Sequence, residues 1–274
     1  MSDFLTTMAE SSLLRARQTS AAEGVTGLAS RASSAEPPVP LHLSEAGFDL
    51  IAEAKLASPS VGTLVPVDDP LGRAMNLASL YEEAGAAAVS VLTEPSRFDG
   101  HIDHLEAAAS RVAVPVMRKD FLVDPIQVVE ARAAGASGVL LIARLTDSAL
   151  LVEMTDAALE FDMFVLVELF DEPDLERASV VFDRNVLVGV NTRDLTTLEV
   201  DSGRLAALAP LLPRHLPRVA ESGVISPEHA RSVAQLGYRL ALVGTALATA
   251  PDPKEAARSL IASGRSTTSL EAPP

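Results

Sequence analysis

The chain of 274 residues contains no cysteine, so it can build no disulfide framework, thiolate nucleophile or cysteine-ligated metal. It is short of positive charge: 22 basic residues stand against 37 acidic ones, giving a formal net charge of −15 and a pI near 4.7. A nucleic-acid backbone is bound through a basic surface, so this balance argues against a nucleic-acid partner. A few local positive groups can still hold an anionic small molecule. No apolar run approaches a membrane span, and the opening Met1-Ser2-Asp3-Phe4 has neither the basic stretch nor the apolar segment of a secretory signal. A cytoplasmic protein without membrane contact is expected.

Lysine is scarcest among the basic residues. There are three, and two of them, Lys55 and Lys119, sit where apolar, strand-like runs stop. A guanidinium stays protonated at any physiological pH, whereas an ammonium can surrender a proton. Ordinary strand-end charges would look the same, so the count alone leaves both readings level.

Residues 1–45 differ in character from the rest of the chain. Ser11 to Glu23 is rich in Ala, Ser and Arg and suits a helix, and Ser30 to Pro40, with Pro37, Pro38 and Pro40, reads as a linker. From residue 46 to 262 a unit recurs: a short apolar run suited to a strand buried on both faces, then a longer amphipathic stretch suited to a helix. The eight runs are Leu50–Ala54, Ala87–Leu92, Val114–Met117, Gly138–Ala143, Met163–Val167, Val186–Val190, Arg218–Ala220 and Leu240–Val243. Their starts lie about 22 to 37 residues apart, the span of one strand, one helix and two loops. Eight such units fit a closed (β/α)8 TIM barrel with an N-terminal helical extension. An open doubly wound sheet would place a Gly-rich phosphate turn after its first strand, and Glu53-Ala54-Lys55-Leu56-Ala57-Ser58 is no such turn. Residues 263–274 read as a disordered tail.

In a barrel the ends of the eight runs share one rim, the C-terminal face where active sites of this fold lie. The first two ends carry Glu53, Lys55, Ser90 and Glu94; the next three carry Lys119, Asp120, Arg144 and Glu168. The last three carry Asn191, Arg193, Glu221, Ser222, Gly244 and Thr245. Any one of these, taken alone, is more often structural. Together they bring lysines and glutamates to one mouth, where partial desolvation and opposed charges shift pKa values toward usable acids and bases near neutral pH. Ser58 with Gly62, Ser222-Gly223 and Gly244-Thr245 also suit phosphate binding through free backbone N–H groups, although such glycines also serve plain tight turns. His101 and His104 flanking Asp103 have a metal-like spacing, but nothing nearby completes a site. They read as a helix start, and no metal is expected.

Several multi-residue motifs in order closely resemble indole-3-glycerol phosphate synthases. They are Ile51-Ala52-Glu53-Ala54-Lys55 with Ala57-Ser58-Pro59-Ser60 and Gly62, Ser90-Val91-Leu92-Thr93-Glu94-Pro95, and Val116-Met117-Arg118-Lys119-Asp120-Phe121. Val167-Glu168, Gly189-Val190-Asn191-Thr192-Arg193-Asp194-Leu195, Ala220-Glu221-Ser222-Gly223 and Val243-Gly244 complete the set. The resemblance covers about residues 48 to 262. It implies closure of the indole ring in tryptophan biosynthesis: 1-(2-carboxyphenylamino)-1-deoxyribulose 5-phosphate becomes indole-3-glycerol phosphate, with loss of CO2 and water and no cofactor. The resemblance makes Lys119 the general acid on the ketone oxygen and Glu168 a proton-transfer group in the dehydration. Lys55 and Glu53 would position and share protons, and Asn191 and Glu221 would hold polar groups of the substrate. Ser58, Ser222, Gly223, Gly244 and Thr245 would surround the phosphate, with Arg193 adding charge. Phe98, Phe121, Leu140, Leu195 and Leu198 would line the ring pocket. Partners implied are this phosphosugar and other enzymes of the tryptophan pathway.

The chain departs from the family at Leu56 and Val61, where lysines are common, and at Thr192, often asparagine. It also has no lysine before position 55, where the family usually carries a basic helix over the mouth. These departures put the lid and substrate capture in question. A relative acting on a substituted anthranilate, and one that binds without turnover, stay open. Phosphoribosylanthranilate isomerase, a related phosphosugar barrel, would call for a catalytic cysteine.

Overall fold

The apolar runs pair as parallel strands. In a computed structural model of the chain, which describes residues 4–58, 62–64, 68–195, 197 and 199–266, eight of them close a barrel. They are β1 (Asp49–Ala54), β2 (Ala88–Leu92), β3 (Val116–Lys119), β4 (Gly138–Ile142), β5 (Phe164–Leu169), β6 (Leu187–Asn191), β7 (Arg218–Glu221) and β8 (Leu240–Val243). Each bonds to the next, and β8 closes on β1 with Ile51 beside Leu242. Successive residues on a strand face opposite ways. Ile51, Met117, Leu140, Leu166 and Val219 therefore fill the interior, while Leu50, Val89, Val139, Val165 and Val188 pack outward under the helices.

The outer helices are α2 (Pro70–Ala84), α3 (Ile102–Arg111), α4 (Pro125–Ala133), α5 (Ser148–Glu160), α6 (Glu172–Ala178), α7 (Arg204–Leu208), α8 (Pro227–Gln235) and α9 (Pro253–Arg265), preceded by α1 (Phe4–Ser34). Four of them start alike. Asp69, Asp124, Ser226 and Asp252 each accept a backbone N–H of the first turn, and a proline comes immediately after. The side chain satisfies an amide the helix leaves unpaired, and proline's fixed φ suits the first helical position, where its missing N–H costs nothing. His101 caps α3 in the same way, its Nδ1 accepting from Asp103 N at 3.3 Å. The histidine pair is thus a helix start.

Most strand ends shift by a residue or two from the sequence reading, and three differences bear on the site or the domain bounds. The third strand begins at Val116 rather than Val114, because Pro115 offers no N–H to a ladder; its last residue is Lys119, which pairs with Leu92 of β2. The first helix runs from Phe4 to Ser34, well beyond Ser11–Glu23 and into the expected linker. It breaks only at Gly24, where φ is 73°. The last helix continues to Arg265, past the expected boundary at 262. Most of the expected tail, residues 267–274, lies outside the described residues.

Leu5 and Met8 of α1 join the interior cluster with Leu92, Phe98 and Phe121, and Leu28 packs with Ile126. Full burial of such side chains is worth about 1.5–3 kcal/mol each, enough to seat the helix against the barrel. The helix thus reaches the C-terminal mouth.

Candidate active site

Each strand delivers its last inward residue to the mouth. Glu53 ends the inward row of β1, Lys119 that of β3, Glu168 that of β5, Asn191 that of β6 and Glu221 that of β7; Lys55 comes directly after β1. All six line one cavity. Lys119 Nζ lies 3.3 Å from Glu168 Oε2 and 3.7 Å from Glu221 Oε2. The other Glu168 oxygen accepts from Asn191 Nδ2 at 3.2 Å. Lys55 Nζ sits 3.2 Å from Glu53 Oε2 and 5.4 Å from the centre of the Phe98 ring.

Two glycines make room for these carboxyls. A methyl on Gly189 would stand 2.0 Å from Glu221 Oε1, and one on Gly244 would stand 1.9 Å from Glu53 Oε2. No side chain other than glycine's hydrogen fits either place without displacing an acid.

Three carboxyls and two ammoniums share this space, all three carboxyls at most 2% exposed. Burial pushes the Glu221 carboxyl well above its ordinary range, and the neighbouring charge of Glu168 adds to the rise, while Lys119 opposes it. Neither Glu221 oxygen accepts a hydrogen bond among the described residues. For Lys119, burial works against the charge, but Glu168, Glu221 and Glu53 outweigh it and lift the pKa above the ordinary 10.5. This corrects the expectation of a lysine tuned toward neutrality: the surrounding carboxyls move the Lys119 pKa away from it, and the group that burial raises is Glu221.

The raised Glu221 pKa makes stability depend on pH. The unfolded chain releases the Glu221 proton near the ordinary value of about 4.3, whereas the folded chain keeps it to higher pH. Between those points the folded state binds more protons, so stability falls as pH rises. Glu221→Gln removes this penalty. Its Tm is expected to match that of the native chain near pH 4 and to exceed it progressively toward pH 8 in thermal unfolding. An offset that does not change with pH would show Glu221 ionised throughout.

Besides the charged groups, the cavity is lined by the apolar Phe98, Phe121, Leu140 and Leu195 and by Ser58, Ser222, Gly223, Gly244, Thr245 and Arg193. Ser222 and Gly223 take consecutive left-handed conformations, φ 61° and 75°, which turn the chain sharply after β7. A side chain on Gly223 would press on Thr192 Oγ1 at 3.1 Å and strain the backbone besides. Arg193 N donates to Asn191 Oδ1 at 2.9 Å, tying the loop after β6 to the strand end. Leu198 lies outside the described residues, as do Pro59, Ser60 and Val61. Arg144 stands apart: it pairs with Asp171 and Asp174 at 2.6 and 2.7 Å and covers the Phe170 ring at 4.3 Å, which makes it a brace between β4 and α6.

Sequence reasoning missed Phe4. It lines the cavity and meets the Phe121 ring edge-on, with centroids 5.9 Å apart. Val224 and Ile225 of the loop after β7 also line it. Nothing local in the sequence marks Phe4, because it reaches the mouth through the packing of α1.

The fold and this mouth define a (β/α)8-barrel enzyme with its ionisable groups gathered at the C-terminal ends of the strands. A sequence model of the family described as indole-3-glycerol phosphate synthase matches residues 15–260. The indole-3-glycerol phosphate synthase of Mycobacterium leprae (strain Br4923) is 43% identical over 238 residues, covering 85% of each chain. That of Mycobacterium ulcerans (strain Agy99) is 42% identical over 243 residues, covering 88% of this chain and 87% of the relative. This chain belongs to the indole-3-glycerol phosphate synthase family, and with it to the lyases of tryptophan biosynthesis. Among solved structures, the 3-hexulose-6-phosphate synthase of Salmonella typhimurium superposes with a TM-score of 0.63 over 79% of this chain and 98% of its own. At 18% identity it shows the shared fold alone.

Proposed function

We propose that the bowl works as a carboxy-lyase, closing the indole ring of 1-(2-carboxyphenylamino)-1-deoxyribulose 5-phosphate in the cytoplasm. The observation that carries this reading is the place of Lys119, 3.3 Å from Glu168 and 3.7 Å from Glu221 in a cavity that Phe98, Phe121, Leu140 and Leu195 also line. The substrate's ring seats against Phe98, Phe121, Leu140 and Leu195, and its phosphate sits at the glycine turns after β7 and β8, near Arg193. The ring carbon bearing the carboxylate attacks the ketone carbon, and Lys119 protonates the oxygen as the new carbon–carbon bond forms. CO2 then leaves from that ring carbon, its bonding electrons restoring the ring system. The apolar wall favours this step, since the carboxylate charge disappears as the neutral product forms. Dehydration completes the indole: the hydroxyl takes a second proton from the Lys55–Glu53 pair and leaves as water, while the methylene carbon next to nitrogen gives its proton to Glu168 and the new carbon–carbon double bond forms. Lys55 and Glu53 share a proton beside that reaction path, and Asn191 orients Glu168.

Incubating the purified protein with the carboxyphenylamino-deoxyribulose phosphate and following indole fluorescence tests the reading. A steady rise proportional to enzyme is expected, and folded protein that yields no indole would sink it.

A further inference from the structure

The N-terminal helix meets the third strand through one charged contact across 105 positions of sequence. Arg15 of α1 donates twice to Asp120: Nη1 to Oδ2 at 2.6 Å and Nη2 to Oδ1 at 2.8 Å. Asp120 is the residue directly after Lys119 and is 3% exposed. Its Oδ1 also accepts from Phe121 N at 2.8 Å, and its Oδ2 from the Thr93 hydroxyl at 2.7 Å. On the other side of Lys119, Arg118 is 2% exposed and donates to Glu130 Oε2 at 2.7 Å, to Gln127 O at 2.8 Å and to Thr93 Oγ1 at 3.0 Å. Lys119 therefore stands between two buried neighbours whose polar atoms are engaged, and one of the two is gripped from α1.

The electrostatics agree with the geometry. Burial alone would raise the Asp120 carboxyl, yet the hydrogen bonds from Arg15 and the charges of Arg118 and Arg15 bring it down to about 2. Without Arg15, a buried carboxylate keeps only the longer 3.3 Å contact with Arg118 as its ion pair. The turn from Lys119 to Phe121 then loses its outer anchor.

We propose that Arg15 is a positioning residue for Lys119: by clamping Asp120 it makes the docking of α1 and the alignment of the ammonium a single event. This rests on the reading of Lys119 as the acid. A displacement of about 1 Å at a reacting group costs on the order of 100-fold in rate. Arg15→Met is therefore expected to lower kcat about 10- to 100-fold while KM moves less than about threefold. Arg15→Lys keeps the charge but not the two-pronged fit and is expected to fall between Arg15→Met and the native chain. It carries the test by itself should the methionine variant not fold. Thr19→Ala cuts a different anchor of the same helix, the 2.7 Å bond to Glu130, and is expected to leave kcat within about twofold.

The decisive comparison places Arg15→Met in the Lys119→Arg background. If Arg15 acts through Lys119, the second change adds almost nothing to the loss in kcat. Fully additive losses, a native kcat in both Arg15 variants, or an equal loss in Thr19→Ala would each overturn the proposal. A native rate in Lys119→Arg alone would instead remove the acid reading on which it stands.

Discussion

Lys119→Arg is expected to lower kcat by about 10²- to 10⁴-fold, the range a positioned proton donor contributes, while the chain stays folded. The fold survives because the charge survives: Glu168 at 3.3 Å and Glu221 at 3.7 Å still face a cation. The rate falls for two reasons. A guanidinium is a weaker acid than an ammonium, and its broad, planar head cannot occupy the space of a point charge hemmed in by buried carboxyls. Steady-state kinetics with circular dichroism separate the two quantities. A near-native rate would show that proton donation from this position is unnecessary. The direction of the Lys119 shift adds a pH statement: because its pKa is raised above 10.5, the native enzyme's kcat has no alkaline limb from Lys119 at pH 7–9.

Glu168→Gln is expected to cost about 10²- to 10³-fold in indole formation. Glu168 is 1% exposed and divides its two oxygens between Lys119 and Asn191. Glutamine keeps the volume but turns one acceptor into a donor, which must then face either the ammonium or the Asn191 amide. The stage at which the loss falls tells the role of Glu168. If it takes up a proton in the dehydration, carboxyl-labelled substrate releases CO2 in a rapid phase of one equivalent per site while indole lags behind. CO2 and indole slowing in step would place Glu168 at or before decarboxylation instead. Removing the largest charge that raises the Lys119 pKa is also expected to lower that pKa, bringing an alkaline limb of the rate profile to lower pH.

The barrel was legible because parallel strands buried on both faces read as short apolar runs, and their spacing is that of strand, helix and loops. The mouth was legible for the same reason: Glu53, Lys119, Glu168, Asn191 and Glu221 are polar residues at or within two positions of the ends of those runs. The first helix was not. Its composition of Ala, Ser and Thr carries little apolar periodicity, so neither its length nor the arrival of Phe4 at the ring wall could be read. The apolar run by itself stops at Met117 and leaves Lys119 beyond the strand, although Pro115 within that run points to a later start.

By itself, then, the order of residues determined which chemical groups stand at the strand ends, since the alternation of a strand and the rim of a barrel arise from local pattern. Tertiary structure alone decided that the Glu221 carboxyl and the Lys119 ammonium both have raised pKa values, and that Arg15 grips Asp120. Protonation depends on burial and on distances between charges, and those distances join residues that lie tens to more than a hundred positions apart in the chain.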